Sequence, residues 1–282
     1  MQGFEENSVV APDFVIGGAM KCGTSTVHSI LASHPEVYIP NPELHFFDYD
    51  NVIQHPDFYD FHEHQWQSHS GASLFEPPVE WYNKQYANCT ERVKGEDSTT
   101  YIASPKALAR LYAVKPDVKL IIMLRQPTDR AYSHYWHMLR SGRATYSFEK
   151  TIEFYPESVL SRSLYLEQLR EAFRIFPRKQ IKVVLFEELL SEKESVVNEL
   201  CRFIGVEASQ LPQDAMTMHT NAARLPRFIN VQLIKNTLFR KAGSISYQRH
   251  FLNKEHEGAF LRDKYLRGIN YLHSKINPLT EK

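Results

Sequence analysis

The chain has 282 residues, 43% of them hydrophobic and 12% aromatic, enough to bury one large core. Lys and Arg together number 33, as do Asp and Glu, so the strong basic excess of a nucleic-acid binder is absent while a local basic pocket remains open. The three cysteines, Cys22, Cys89 and Cys201, are odd in number and far apart, which argues against a disulfide framework or a zinc site and for a reducing compartment.

The opening Met1–Asn7 has neither the basic nor the apolar region of a secretory signal. No window approaches the ~18–20 apolar residues of a membrane span. A cytoplasmic protein without a membrane partner is therefore expected.

In chain order, Asp13–Ala19 is a short apolar run ending in glycines and reads as a buried strand entering a tight turn. Thr24–Ser33 carries Val27, Ile30 and Leu31 at helical spacing, and His34-Pro35 stops it. Val37–Pro40 is a second short strand. Residues 51–90 form an aromatic and histidine-rich insertion that reads as loops with short helices, and Arg92–Glu96 is a weak strand. Ser104 caps a helix with Pro105 in its first turn. Val118–Leu124 is almost wholly apolar, as a parallel strand covered on both faces should be. Helices over Pro127–Arg140 and Leu164–Phe176 follow, then a strand over Ile181–Phe186 and helices over Glu194–Ile204 and Glu257–Ile276.

Strands alternating with helices predict an α/β fold of the P-loop-containing nucleotide-binding type, a central parallel sheet flanked by helices. A single domain over residues 1–282 is expected, with 215–282 as a helical C-terminal lid region. Nothing specifies an oligomeric state. Ligands of such folds lie beyond the carboxyl ends of the strands. That puts the Gly17–Thr26 turn, the start of the Pro127 helix and the loop after Val37–Pro40 around one crevice.

A strand, a glycine-rich turn and a helix make an anion site, because N–H groups and the helix dipole both face outward there. Gly18 and Gly23 have phosphate-loop spacing, yet the residue after Gly23 is Thr24 and the lysine sits earlier, at Lys21. The magnesium-binding pattern places Lys directly after the second glycine. A metal-dependent kinase or NTPase is thereby disfavoured, and no metal is expected. Arg125 ends the strongest strand, and Ser133 follows two helical turns later; an arginine fork and a hydroxyl suit a phosphate monoester. Two anion sites at neighbouring strand ends suggest a ligand with two phosphate-like groups.

Three segments in order resemble the sulfotransferases that use 3′-phosphoadenosine-5′-phosphosulfate (PAPS), in particular the heparan-sulfate-type and bacterial carbohydrate-type branch. Gly18–Thr26 resembles the 5′-phosphosulfate loop, Leu124–Tyr135 the 3′-phosphate motif, and Glu43–Asp48 the E-x-H-F-F-D segment that supplies the catalytic base. Gly95–Tyr101 and Asn221–Arg227 are weaker likenesses, so the resemblance runs from about residue 13 to 230.

The resemblance implies a sulfuryl transfer from PAPS to a hydroxyl or amine, most plausibly of a carbohydrate, by in-line displacement. Lys21 would stabilise charge on the departing phosphate. The loop Lys21, Cys22, Gly23, Thr24, Ser25 and Thr26 would cradle the phosphosulfate, and Arg125 and Ser133 would hold the 3′-phosphate. Glu43 would be the general base with His45 as neighbour or substitute, its pKa raised by the apolar Leu44, Phe46 and Phe47. Arg224 and Arg227 would close over the cofactor. The aromatic stretch Phe58–Trp81, Trp66 included, would shape the acceptor cleft or pack a lobe onto the sheet. The heparan-sulfate branch carries a lysine where this chain has Asp97, which speaks against a heparan-like acceptor. The alternative is a P-loop kinase transferring phosphate from ATP to a small molecule.

Overall fold

The computed structural model describes residues 9–41, 43–51, 59–62, 65–68, 78–140, 144, 147–154 and 156–218. The helix expected at Glu257–Ile276, the lid over 219–282 and both Arg224 and Arg227 lie outside the described residues.

The elements in chain order are β1 (Phe14–Gly18), α1 (Thr24–Ala32), β2 (Val37–Tyr38), β3 (Tyr59–His62), β4 (Gln65–Ser68), α2 (Val79–Lys84), β5 (Val93–Asp97) and α3 (Pro105–Val114). Then come β6 (Lys119–Leu124), α4 (Pro127–Arg140), α5 (Phe148–Phe154), α6 (Pro156–Val159), α7 (Tyr165–Ile175), β7 (Ile181–Leu185), α8 (Phe186–Ser191) and α9 (Lys193–Ile204).

The described residues divide into two compact units, one up to Arg125 and again from Glu167, the other over Gln126–Leu166. The first unit holds a five-stranded sheet in the order β2-β5-β1-β6-β7, every pair parallel. β1 is central because Phe14, Val15 and Ile16 bring no polar side chain and are fully buried, as are Leu120–Met123 beside them in β6. The order reverses at β1, with β5 on one side and β6 on the other, which is where α/β sheets open a crevice beyond their strand ends. α3 begins as expected, with the Ser104 hydroxyl accepting from the N–H of Ala107 at 3.3 Å and Pro105 in its first turn.

Two findings differ from the expectations. Residues 59–68 contain an antiparallel hairpin, β3 with β4, pairing Phe61 with Trp66, where only loops and short helices were expected. Each strand is only four residues long, at the lower limit over which alternation registers in a sequence. And the weak strand at Arg92–Glu96 is an interior strand, β5, buried although it ends in Glu96-Asp97.

The second unit packs Ala131, Met138, Leu139, Ala144, Ile152, Val159 and Leu160 into its own core. Arg130 is fully buried within it, its Nε donating to Ser163 Oγ at 2.6 Å and its guanidinium also donating to the Val159 carbonyl.

Candidate active site

The glycine turn is shaped by close approach. At Gly18, φ is 135°, and a Cβ would stand 2.7 Å from the Thr99 carbonyl and 2.5 Å from Ile102, so only glycine lets the chain pass the end of β5. The turn is tied to β6 by the Ala19 N–H, which donates to the Met123 carbonyl at 2.7 Å. Lys21 then takes φ 70°, a left-handed conformation that costs a non-glycine residue about 1 kcal/mol or more and is found where function needs it.

Gly23 caps α1 at φ 87°, and a Cβ on it would lie 2.6 Å from the Phe186 ring. The helix start has no side-chain cap and no acidic residue in its first turn, so its dipole favours an external anion. A phosphate group fits this helix start. The Cys22 thiol is fully buried and donates weakly to the Met20 carbonyl at 3.7 Å, so it is the backbone of Cys22 that borders the turn. Thr24 and Thr26 are also buried, and Ser25 is partly so.

The segment after β2 brings the carboxylate. Glu43 Oε2 accepts from the Thr99 N–H at 3.2 Å and the Thr99 hydroxyl at 2.7 Å, and lies 3.3 Å from His45 Nε2. Leu44, Phe46 and Phe47, expected to surround this carboxylate, are instead buried, with Phe46 stacked on Tyr82 at 4.0 Å. The side chain of Glu43 is 34% exposed and its named contacts are polar.

His45, at φ 50°, has its Nδ1 2.9 Å from Thr100 Oγ1, while the Thr100 hydroxyl donates to Asp48 Oδ2 at 2.7 Å. A hydroxyl has one hydrogen, and this one goes to Asp48. His45 Nδ1 must therefore be the donor to Thr100, which turns Nε2 toward Glu43. The chain Asp48–Thr100–His45 thus sets the ring so that Nε2 faces Glu43 Oε2.

Behind this pair, Asp97 Oδ2 meets His28 Nδ1 at 3.1 Å, linking the end of β5 to α1. Burial pushes the Asp97 carboxyl up to about 6, opposed by the hydrogen bond from His28. Asp97 is only 4% exposed, so the acidic residue at this position does not present an open charge to solvent.

Arg125 follows β6 and stacks over the Phe186 ring at 4.8 Å, the ring that also packs on Gly23. Phe186 thus joins the glycine turn to Arg125. Ser133 is partly buried on α4 in the second unit. Of the expected residues, the first unit brings Glu43 and His45 together, and Gly18 meets Thr99, the residue that donates to Glu43.

Sequence reasoning assigned no role to Thr99, Thr100, Asp48 or Phe186. The segments Glu43–Asp48 and Gly95–Tyr101 both stand out in the sequence, and the run of hydroxyls Ser98–Tyr101 in the second is the available signal. Phe186 carried none.

Comparison with known proteins supplies the remaining findings. A family model described as "Sulfotransferase family" matches residues 12–210. Heparan sulfate glucosamine 3-O-sulfotransferase 5 of Homo sapiens is 28% identical over 193 residues, 64% of this chain and 49% of that protein. Bifunctional heparan sulfate N-deacetylase/N-sulfotransferase 2 of Homo sapiens is 26% identical over 211 residues, 69% of this chain and 22% of that protein. The chain thus spans about half the length of the first of these relatives, or less of the second. Among solved structures, a sulfotransferase from Alicyclobacillus acidocaldarius is 30% identical with a TM-score of 0.61, covering 82% of this chain and 94% of that one. The sulfotransferase domain from the curacin biosynthetic pathway, at 18% identity and TM-score 0.52 over 76% and 83% of the two chains, shares the fold.

Proposed function

We propose that this chain, which belongs to the sulfotransferase family, transfers a sulfuryl group from PAPS to a hydroxyl or amine of a carbohydrate, with Glu43 and His45 receiving the acceptor's proton. The observation that carries the reading is the convergence on Thr99. Its N–H and hydroxyl both donate to Glu43, and its carbonyl lies against Gly18 at the mouth of the anion-binding turn. A proton acceptor and a phosphate cradle therefore share one residue.

The donor supplies an activated sulfuryl group on its 5′-phosphate, and adenosine 3′,5′-bisphosphate (PAP) is the product left behind. The chain's residues do the rest. The uncapped start of α1 and the Lys21 ammonium face the charge that grows on the departing phosphate. Glu43 takes the proton of the attacking group, and the Nδ1–Thr100–Asp48 chain keeps the His45 ring aimed at Oε2 as that happens. The fork of Arg125, backed by Phe186, suits the 3′-phosphate, and the sequence motif assigns Ser133 the same ligand. Cys22, Gly23, Thr24, Ser25 and Thr26 border the 5′-phosphate through backbone and hydroxyl groups.

A carbohydrate acceptor is supported by the heparan sulfate enzymes among the relatives. The burial of Asp97 against His28 makes the acid at position 97 a weaker objection to an anionic sugar than its sequence alone suggests. Arg224 and Arg227 remain proposed cofactor contacts on the strength of the sequence motif.

Calorimetry with PAP in metal-free buffer tests the reading. Saturable binding in the micromolar range or tighter is the expected result, about −8 kcal/mol or better. No heat at millimolar nucleotide would sink it, and binding of ATP only with magnesium would favour phosphoryl transfer.

A further inference from the structure

We propose that Glu96 is a positioning residue for proton transfer: from beneath, its single buried carboxylate suspends the segment that carries Glu43 and His45. The proposal rests on the reading of Glu43 and His45 as the proton acceptors.

Glu96 lies in β5 and is fully buried. Its Oε1 accepts from the Ser98 hydroxyl at 2.8 Å and from the Tyr101 phenol, and its Oε2 accepts from the Tyr82 phenol at 2.5 Å. Two of these three hydroxyls also accept a backbone N–H of the loop. Ser98 Oγ accepts the N–H of His45 at 3.0 Å, and the Tyr101 oxygen accepts the N–H of Phe47 at 3.0 Å.

The chemistry of a hydroxyl makes this arrangement directional. Each has one hydrogen and two lone pairs. Because Glu96 draws the hydrogens of Ser98 and Tyr101 toward itself, their lone pairs face the two amides. One carboxyl oxygen, Oε1, thus orders two acceptors for two backbone donors, on alternate residues of the loop. That pins the backbone on both sides of Phe46 and holds His45 at its left-handed φ of 50°, which aims its ring at Glu43.

Glutamine at this position can keep its oxygen toward Ser98 and Tyr101, which share Oε1, and turn its amide N–H groups to the Tyr82 hydroxyl, so it is the conservative rescue. Leucine has a similar volume and no acceptor, so it leaves the hydrogens of Ser98 and Tyr101 without a target and lets them turn toward the backbone N–H groups. Tyr82 differs from Ser98 and Tyr101 because its hydroxyl holds Glu96 without touching the loop, so it serves as the control.

The experiment compares the full chain with its Glu96→Leu, Glu96→Gln, Ser98→Ala, Tyr101→Phe and Tyr82→Phe variants. Three quantities are read: amide hydrogen exchange at residues 45 and 47, PAP affinity, and kcat and KM with PAPS and a carbohydrate acceptor. In Glu96→Leu, the exchange of the His45 and Phe47 amides should quicken by about tenfold or more, with kcat falling by a similar factor while PAP affinity stays within about twofold, and Glu96→Gln should keep both amides protected. Ser98→Ala should release only the His45 amide and Tyr101→Phe only that of Phe47, which keeps the test decisive if Glu96→Leu does not fold.

Unchanged protection at both amides in Glu96→Leu overturns the proposal. So does a loss in Glu96→Leu that spreads over β1 and β5 and takes PAP affinity with it, or the same loop release in Tyr82→Phe, since either would mark a packing role alone. A wild-type chain that binds no PAP would sink the sulfotransfer reading, while the exchange data would still decide whether Glu96 holds the loop.

Discussion

The Thr100 hydroxyl, by giving its hydrogen to Asp48, decides which face His45 shows to Glu43. At this scale the outcome depends on counting donors and acceptors, and two substitutions follow. Glu43→Gln keeps an oxygen for the Thr99 donors but cannot take up a proton; kcat should fall by roughly 10²–10⁴-fold, with PAP affinity within about twofold of wild type, read by steady-state kinetics and calorimetry. Full turnover in this variant would remove Glu43 from the base role. Gly23→Ala meets both a positive φ of 87° and the Phe186 ring at 2.6 Å. It should cost about 1–3 kcal/mol of stability in denaturant titration and weaken PAP binding as well, because the same residue opens α1. The identity of the loop residues was legible because glycine, lysine and hydroxyl spacing is local. The partners of Glu43 were not, since Thr99 lies 56 residues away in sequence.

Among the elements, α1 and β5 make an instructive contrast. α1 has an apolar face at helical spacing, a glycine at its start and a stop at Ser33, all readable in sequence. β5 reads VKGED, which by propensity is a poor strand, yet it is hydrogen-bonded between β2 and β1. Its charges are accommodated by partners from elsewhere, His28 for Asp97 and three hydroxyls for Glu96. Tertiary partners override propensity here, which is why the strand looked marginal. α3 shows the opposite case, a helix whose boundary is set by local chemistry. Ser104→Ala removes the acceptor for the Ala107 N–H and should lower stability by about 1 kcal/mol, seen as a shift in the denaturation midpoint with unchanged slope. PAP affinity should not change, because no proposed ligand-binding residue lies on α3.

For the molecule as a whole, two buried carboxyls tie stability to pH. Burial pushes Glu96 up to about 7 and Asp97 up to about 6, above their ordinary values of 4.5 and 3.8. The unfolded chain releases these protons first as pH rises, so over that interval the native state binds more of them. Stability contributed by the protonated forms is present below the ordinary range and is lost as pH climbs through about 6 and 7. The difference in unfolding free energy between wild type and Glu96→Gln should therefore shrink from about pH 5 to pH 7, by at most on the order of 3 kcal/mol. A difference that stays flat across this window would mean that Glu96 is ionised throughout. No described helix is long and apolar enough to cross a membrane.

By itself the sequence determined the parallel α/β sheet, the anion-binding turn between β1 and α1, and the residue types that place the chain among the sulfotransferases. These are consequences of short-range rules: an apolar run makes a buried strand, glycines make a tight turn, and a helix start collects positive potential. Only the tertiary structure decided that β5 lies beside β1, that Thr99 meets both Gly18 and Glu43, and that Glu96 orders the hydroxyls beneath the Glu43–His45 loop. The strand pairing, the Thr99 contacts and the bonds from those hydroxyls to the loop join residues 53 to 81 positions apart, and they exist because strand register closes the intervening chain, which no local pattern encodes. A glycine turn in sequence announces an anion; the register of one unpromising strand is what sets a proton acceptor beside it.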